Sequence, residues 1–402
     1  AYIRNGVLES KNLTILDSVG NKQRVTFATL ASAKNEKYFN RFIEYAKFTN
    51  ILHGGFDGLN ILDKDNHLMN DRASSIETGG KGDLSLGTYT HENLHADSSP
   101  GTGKNNNIIS SYRTAAKIMT DPYATRVNIV AVPGIREPYV TNRVATLTKD
   151  YSQAIYIMDI PSYKDTTGTR IFDRQTLPSV QETVDQFESR AIDNNYVATY
   201  FPDVVMLDDV NNTRQTVPAS IAALSAYSFN DSEKHPWFAP AGFNRGALRN
   251  VTNTRTRLTA EDRNVLYEAR INPIANFPNP AGFVIFGQKT LQQNRSALDR
   301  VNVRRMLLEV KRQVKEIALS FLFENNTPST RARFVAQITP KLASIQADQG
   351  IDQFRVVVDG SNNTSNDIEN NRLNGKIVLV PTRAVEFISI DFIITNSGVE
   401  FQ

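Results

Sequence analysis

His91-Glu92-x-x-His95 sets two imidazoles and a carboxylate at the spacing of a zinc-dependent hydrolase. On a helix, residues four apart share a face, so both histidines could hold the metal while Glu92 served as general base. Just downstream, Pro100-Gly-Thr-Gly-Lys104 has the glycines and lysine of a phosphate-cradling loop. Neither pattern has the elements that would position it. Tyr89–Ser99 offers no apolar stripe to seat a helix, and glycines and serines crowd both sides. A phosphate loop needs glycine at position 98 and Ser or Thr at 105, where this chain has Ser98 and Asn105. Both stretches therefore read as solvated loop, and a zinc-dependent hydrolase using His91, Glu92 and His95 is the alternative to a structural role. Asp203, Asp208 and Asp209 cluster near the end of an apolar run, where α/β folds place sites. With no histidine or phosphate loop beside them, they read as capping or loop residues. No catalytic, cofactor-binding or metal residue is assigned, and no cofactor is expected.

The bulk composition narrows the classes further. The 402 residues are 40% hydrophobic and 22% charged, enough for two or three domains with cores of their own. Lys plus Arg number 45 against 42 Asp plus Glu, a net charge of +3 that gives no electrostatic case for a nucleic-acid partner. The absence of cysteine excludes disulfides, thiol catalysis and Cys-ligated zinc, and fits a reducing compartment. No apolar run approaches the roughly 20 residues of a membrane helix, so no membrane insertion is expected.

The periodicity predicts a helix over Asn35–Phe48, a glycine turn at His53–Gly58, and a polar surface excursion through residues 60–107. Helices over Ser110–Met119, Val140–Tyr151 and Val180–Ala191 then alternate with apolar strands at Val127–Val132, Ala154–Ile160 and Val197–Leu207. Strands alternating with helices imply βαβ units and a mostly parallel sheet. The sole tryptophan lies in the irregular stretch His235–Gly246, which should be pinned by packing.

After Phe283–Phe286 the order changes. Val303, Leu307, Val310, Val314, Ile317 and Phe321 form one stripe of a helix over Val301–Phe321. Arg305 with Glu309, and Arg312 with Glu316, are spaced as i,i+4 pairs. A second helix, Arg331–Asp348, ends at Gly350, read as its C′ glycine. Strands follow at Gln353–Val358, Lys376–Val380 and Val385–Thr395. The fold class is thus multi-domain: a central, mostly parallel α/β domain within residues 1–295, then a C-terminal α+β (ααβββ) assembly domain at 296–402. In the last strand Ile388, Ile390, Phe392 and Ile394 face one way, and Phe387 begins the other face. Arg304, Lys311 and Lys315 lie on one flank of the first C-terminal helix, a solvated face or a docking surface.

From about Val127 onward the chain resembles the contractile-tail sheath proteins of bacteriophages. The resembling segments occur in order: Val132-Pro-Gly134, Asp159-Ile-Pro161, Pro236-Trp-Phe-Ala-Pro-Ala-Gly242 with Asn244-Arg-Gly246, Leu266-Tyr267 leading to Ile271-Asn272, Phe286-Gly-Gln-Lys-Thr290, Asp299–Arg305, Phe321-Leu-Phe-Glu324, Pro381 and Glu386. Gly54-Gly55-x-Asp57-Gly58 resembles the family's glycine loop. Asn325-Asn326 departs from the family's Pro-Asn. The resemblance also implies an extended N-terminal arm that residues 1–30 do not reveal, which a truncated or trimmed chain starting at Ala1 would explain.

The resemblance implies a structural subunit, not an enzyme. Its partners would be copies of itself in six-fold rings stacked helically, the inner tail tube, the baseplate and the tail terminator. On triggering, the sheath would shorten and drive the tube through the host envelope. It would sit in the virion tail after assembly in the host cytoplasm. Terminal arms would add strands to neighbours' C-terminal sheets. In this picture Phe387, Ile388, Ile390, Phe392 and Ile394 serve subunit linkage, while Arg304, Lys311 and Lys315 face the tube.

Overall fold

A computed structural model of the protein describes residues 107–164, 168–171, 176–208, 212–277 and 282–386, with four short strands before residue 25. The chain divides into two compact units, Ala1–Asp57 and Gly58–Gln402. In the first, Ile3–Arg4 pairs with Val7–Leu8 and Thr14–Leu16 with Lys22–Arg24, both antiparallel. The expected helix at Asn35–Phe48 and the 60–107 excursion, save the start of the helix at 107, lie outside the described residues.

The described residues of the second unit begin with helix α1 (Asn107–Met119), strand β1 (Ile129–Ala131), helix α2 (Pro138–Tyr151) and strand β2 (Ile155–Met158). Helix α3 (Val180–Glu188) leads to β3 (Val197–Phe201). The Ser179 side chain caps α3 by accepting from the Glu182 amide. Val197–Leu207 is not one strand as the apolar run suggests. Pro202, which lacks an amide hydrogen, separates β3 from β4 (Val204–Asp208). β4 belongs to another sheet, between β5 (Thr213–Val217) and β6 (Val251–Thr254), all antiparallel.

Helix α4 (Ala219–Glu233) was not legible as periodicity, because it is apolar on most sides: Ala219, Ala222, Ala223 and Ala226 are all buried. Their small side chains let the helix lie close on the sheet. Helix α5 (Ala260–Glu268), with a Thr259–Asp262 capping box, precedes β7 (Ile271–Phe277), and β8 (Gly282–Ile285) closes the sheet. The order is β8-β7-β3-β2-β1, parallel except for β8 against β7. Every residue of β2 and β3 is buried, as a parallel sheet covered on both faces requires. Tyr156 and Met158 face a core with α2, α3 and α5, while Ile155 and Ile157 face one with α4. β7 escaped sequence reading because Pro273 sits in it; that residue pairs with Phe201 just before β7 turns to β8 for its partners.

Among the described residues the C-terminal layer comprises α6 (Val301–Leu319), α7 (Pro328–Ala347), the antiparallel ribbon β9 (Ile351–Val357) with β10 (Lys376–Pro381), and one short helix, Ser365–Glu369. Helix α6 has two buried faces where one was expected. Val303, Met306 and Val310 join the C-terminal core, while Val301 and Leu308 enter the α/β core, and Leu307 is only half-buried. Arg305 does not pair with Glu309; it reaches Asp231 of α4, and Glu309 takes Arg312 instead. The left-handed residue after α7 is Gln349 (φ +63°), not Gly350. Gly350 is needed for a different reason: a β-carbon there would meet Ile345 at 2.7 Å and Trp237 at 3.0 Å.

Candidate assembly site

The ordered sequence motifs turn out to be junctions between elements. Asp159, 2% exposed, accepts from the Gly134 amide at 2.9 Å and from the amide and hydroxyl of Ser220 at 2.9 and 2.6 Å. It thereby ties the ends of β1 and β2 to the first turn of α4, where the helix dipole favours an anion. Burial pushes its carboxyl pKa up, opposed by Arg136 and Ser220. Asn272, fully buried, donates to the carbonyls of Thr199 and Lys289 and accepts from the Lys289 amide, all within 2.9 Å. Trp237 belongs by sequence to the α/β domain, yet its ring lies in the C-terminal core. Its Nε1 donates to the Asp348 carbonyl at 2.8 Å and its ring stacks on His235 at 4.5 Å. Packing pins this irregular stretch, as expected.

Two consecutive arginines fasten α6 to the α/β domain. Arg304 donates to the backbone and side chain of Asn195 and lies 4.0 Å from the Tyr196 ring centroid. Arg305 donates to Asp231 and sits 4.7 Å from the Tyr227 ring centroid, whose hydroxyl meets that of Tyr200 at 2.7 Å. Arg304 is only 2% exposed, so it cannot present its charge to a tube in this fold. Its predicted companions Lys311 and Lys315 are exposed, and Lys311 donates to the Tyr196 hydroxyl at 3.2 Å. Helical spacing groups the three but could not show that the first turn of α6 is enclosed.

A further cluster joins residues that the sequence offered only as separate resembling segments. The Glu386 carboxylate accepts from Arg300 Nε and Nη2 at 2.7 and 2.9 Å, from the Tyr267 hydroxyl at 2.6 Å, and from Gln288 Nε2 at 3.2 Å. Arg300 is the residue immediately before α6. Lys289 lies 3.5 Å over the Tyr267 ring and donates to its carbonyl at 2.7 Å. Burial, aided by the hydrogen bond to Glu386, raises the Tyr267 pKa to about 12. Burial and the charge of Arg300 lower that of Lys289 to about 8. The segment that follows β10 is thus clasped at the root of α6. Phe387, Ile388, Ile390, Phe392 and Ile394 lie beyond it, outside the described residues.

The β9–β10 ribbon turns Phe354, Val356, Ile377 and Leu379 onto the helices. Its outer face carries Val378 and Val380, 46% and 45% exposed. Among the described residues each strand has one paired edge only.

The tempting chemistry found no support. His91, Glu92, His95 and Pro100–Lys104 lie outside the described residues. Asp203 accepts both of its bonds from Arg136 Nη2 at 2.7 Å, with Arg255 nearby at 3.8 Å, a structural ion cluster; Asp208 is in β4, and Asp209 lies outside the described residues. Among the described residues no group of His, Asp or Glu could hold a metal, and no helix is long and apolar enough to cross a membrane.

Residues 110–291 match the family model for the phage tail sheath protein central domain, and residues 293–395 that for the phage tail sheath C-terminal domain. The chain is 37% identical over 212 residues to the tail sheath protein of Vibrio phage KVP40, covering 52% of this chain and 30% of that protein. It is 33% identical over 214 residues to the tail sheath protein of Enterobacteria phage T4, covering 53% and 31%. The match thus spans less than a third of those relatives' length. The fold resembles the contracted sheath of an extracellular contractile injection system (PVC), with a TM-score of 0.56 at 22% identity over 70% of this chain and 79% of that one. It also resembles the contracted helical sheath of the anti-feeding prophage, with a TM-score of 0.55 at 19% identity over 78% and 84%.

Proposed function

Because this chain belongs to the phage tail sheath family, we propose that it is a structural subunit of a contractile phage tail sheath. The ordered match of both family domains across residues 110–395 carries this reading. Copies stack as six-fold rings around the inner tube, joined to the baseplate and closed by the terminator, and the contracting sheath drives the tube through the host envelope. Assembly takes place in the host cytoplasm, and the product is part of the virion tail. The relatives' sheath and baseplate assemblies support the self-association and the baseplate partner.

The division falls at 295/296, with the C-terminal part as the linking domain. Among the described residues the ribbon has two strands, which is marginal alone and gains from added strands, and this suits β-augmentation by neighbours. The last strand, with Phe387, Ile388, Ile390, Phe392 and Ile394, is the proposed linker. Lys311 and Lys315 are the proposed tube-facing charges. Contraction by rigid-body movement needs the two domains to travel together, and the Arg304–Asn195 and Arg305–Asp231 contacts support that.

Overexpression followed by electron microscopy tests the whole. Tubes of sheath diameter are expected; their absence, with or without co-expressed tube protein, would count against it. Lys311→Glu with Lys315→Glu should weaken co-assembly with tube while tube-free polymers persist; unchanged tube binding at low salt would remove those residues from the tube face.

A further inference from the structure

Helix α6 runs out into Leu319-Ser-Phe-Leu-Phe-Glu324. Phe321 turns inward and packs edge-on against Phe334, centroids 5.1 Å apart. Leu319, Leu322 and Phe323 turn outward, 52%, 61% and 105% exposed. Phe323 also has φ +68°, a left-handed backbone that bulky side chains rarely adopt. A strained residue that holds an aromatic ring fully in water destabilises a lone chain twice over. Such a feature persists where it serves a contact. Beside it, exposed Glu324 pairs with exposed Arg333 at 2.9 Å.

Elsewhere on the same chain lies a cavity of about 610 Å³, between the Trp237 segment, the end of β8 and residues 382–386. Trp237, Phe238, Ala241, Pro273, Phe286 and Val385 supply its apolar lining. Phe286 is 43% and Val385 79% exposed, so apolar surface faces water here too. Arg245, Arg263 and Arg383 line it together with Glu386, whose carboxylate is already held by Arg300.

We propose that this cavity receives Leu322 and Phe323 of a second copy, with Glu324 meeting the arginines. The volume is in the range that holds small ligands, ample for two side chains. Apolar surface meets apolar surface, and the one acid of the knob meets the basic lining. Knob and socket are different patches of one chain, so one-way insertion makes a head-to-tail contact that continues from copy to copy into a ring or helix, whereas reciprocal insertion would stop at a pair. The inference deepens the sheath reading, since it names one contact by which copies would join.

The cysteine-free sequence allows a direct test on the whole chain. Leu322→Cys and Val385→Cys, made in separate preparations and mixed under mild oxidation, should give disulfide-linked pairs well above those from Tyr123→Cys with Val385→Cys. Tyr123 is a suitable control because it is 100% exposed and lies away from the knob in sequence. Adding Phe323→Asp to the Leu322→Cys chain should cut the yield to the control level. A peptide spanning Ile317–Thr327, titrated against the unaltered chain, should shift the fluorescence of Trp237, and Phe323→Ala in the peptide should weaken binding roughly tenfold or more. Cross-linking no higher than the control, or insensitive to Phe323→Asp, overturns the proposal. Specific cross-linking without tubes in the electron microscope would keep this contact and sink the sheath reading instead.

Discussion

Replacing Glu386 by alanine should loosen the clasp that holds the segment after β10 at the root of α6. The carboxylate accepts two bonds from Arg300, one from Tyr267 and one from Gln288. A well-buried hydrogen bond to a charged group nets about 1.5–3 kcal/mol, whereas a fully exposed ion pair nets roughly 0.2–1. Glu386 and Arg300 lie between, with side chains 19% and 24% exposed. A total near 2 kcal/mol for Glu386→Ala follows, and about 1 for Glu386→Gln, which keeps the shape but sets an amide N–H against the guanidinium. A cycle with Arg300→Met should give a coupling of about 1 kcal/mol. Trp237 is the only tryptophan and lies in the C-terminal core, so its fluorescence in a urea titration follows that part of the chain. At a slope of about 2 kcal/mol per molar, the alanine variant's midpoint should fall by roughly 1 M. The coupling should survive largely in 1 M salt, because a half-buried pair is poorly screened. A coupling below about 0.3 kcal/mol, the level of unconnected sites, would refute the clasp as an energetic link.

Gly350→Ala should cost about 2 kcal/mol in the same titration, because its β-carbon would collide with Ile345 and the Trp237 ring; a neutral outcome would mean the α7 end can shift. Arg305→Ala should destabilise by about 3 kcal/mol by stranding Asp231 and uncovering Tyr227, while Arg305→Met, which refills the space, should cost clearly less by thermal melting. The native Lys289 pKa of about 8 lies below its ordinary 10.5, so the unfolded chain holds more protons and stability should rise with pH between those values; Lys289→Met should flatten that rise. The Tyr267 pKa of about 12 lies above 10.0, so its contribution is full below pH 10 and lost as pH climbs towards 12; Tyr267→Phe should remove that loss in a pH series of melts.

The α/β class, the parallel sheet and the two long C-terminal helices were legible in the sequence, because periodic burial writes itself into residue order. Val140–Tyr151 and Val301–Phe321 announce an apolar face, and β2 and β3 announce burial on both. The ordered motifs also led to the sheath family, which no composition or charge count could have done. Elements whose surroundings override local pattern stayed hidden. α4 is apolar nearly all round and so shows no stripe, and β7 carries a proline that argues against a central strand. The apolar run from Val197 hid a break at Pro202 and a change of sheet. Local spacing likewise offered Arg305 a partner at Glu309, but α4 brought Asp231 closer. Which charges reach solvent was also a tertiary decision. Arg304, Lys311 and Lys315 share a flank by helical geometry, yet Arg304 is enclosed because Asn195 and Tyr196 lie over the first turn of α6. Glu386 meets Tyr267, Gln288 and Arg300 across 119, 98 and 86 positions of sequence, separations at which only the folded chain can bring side chains together.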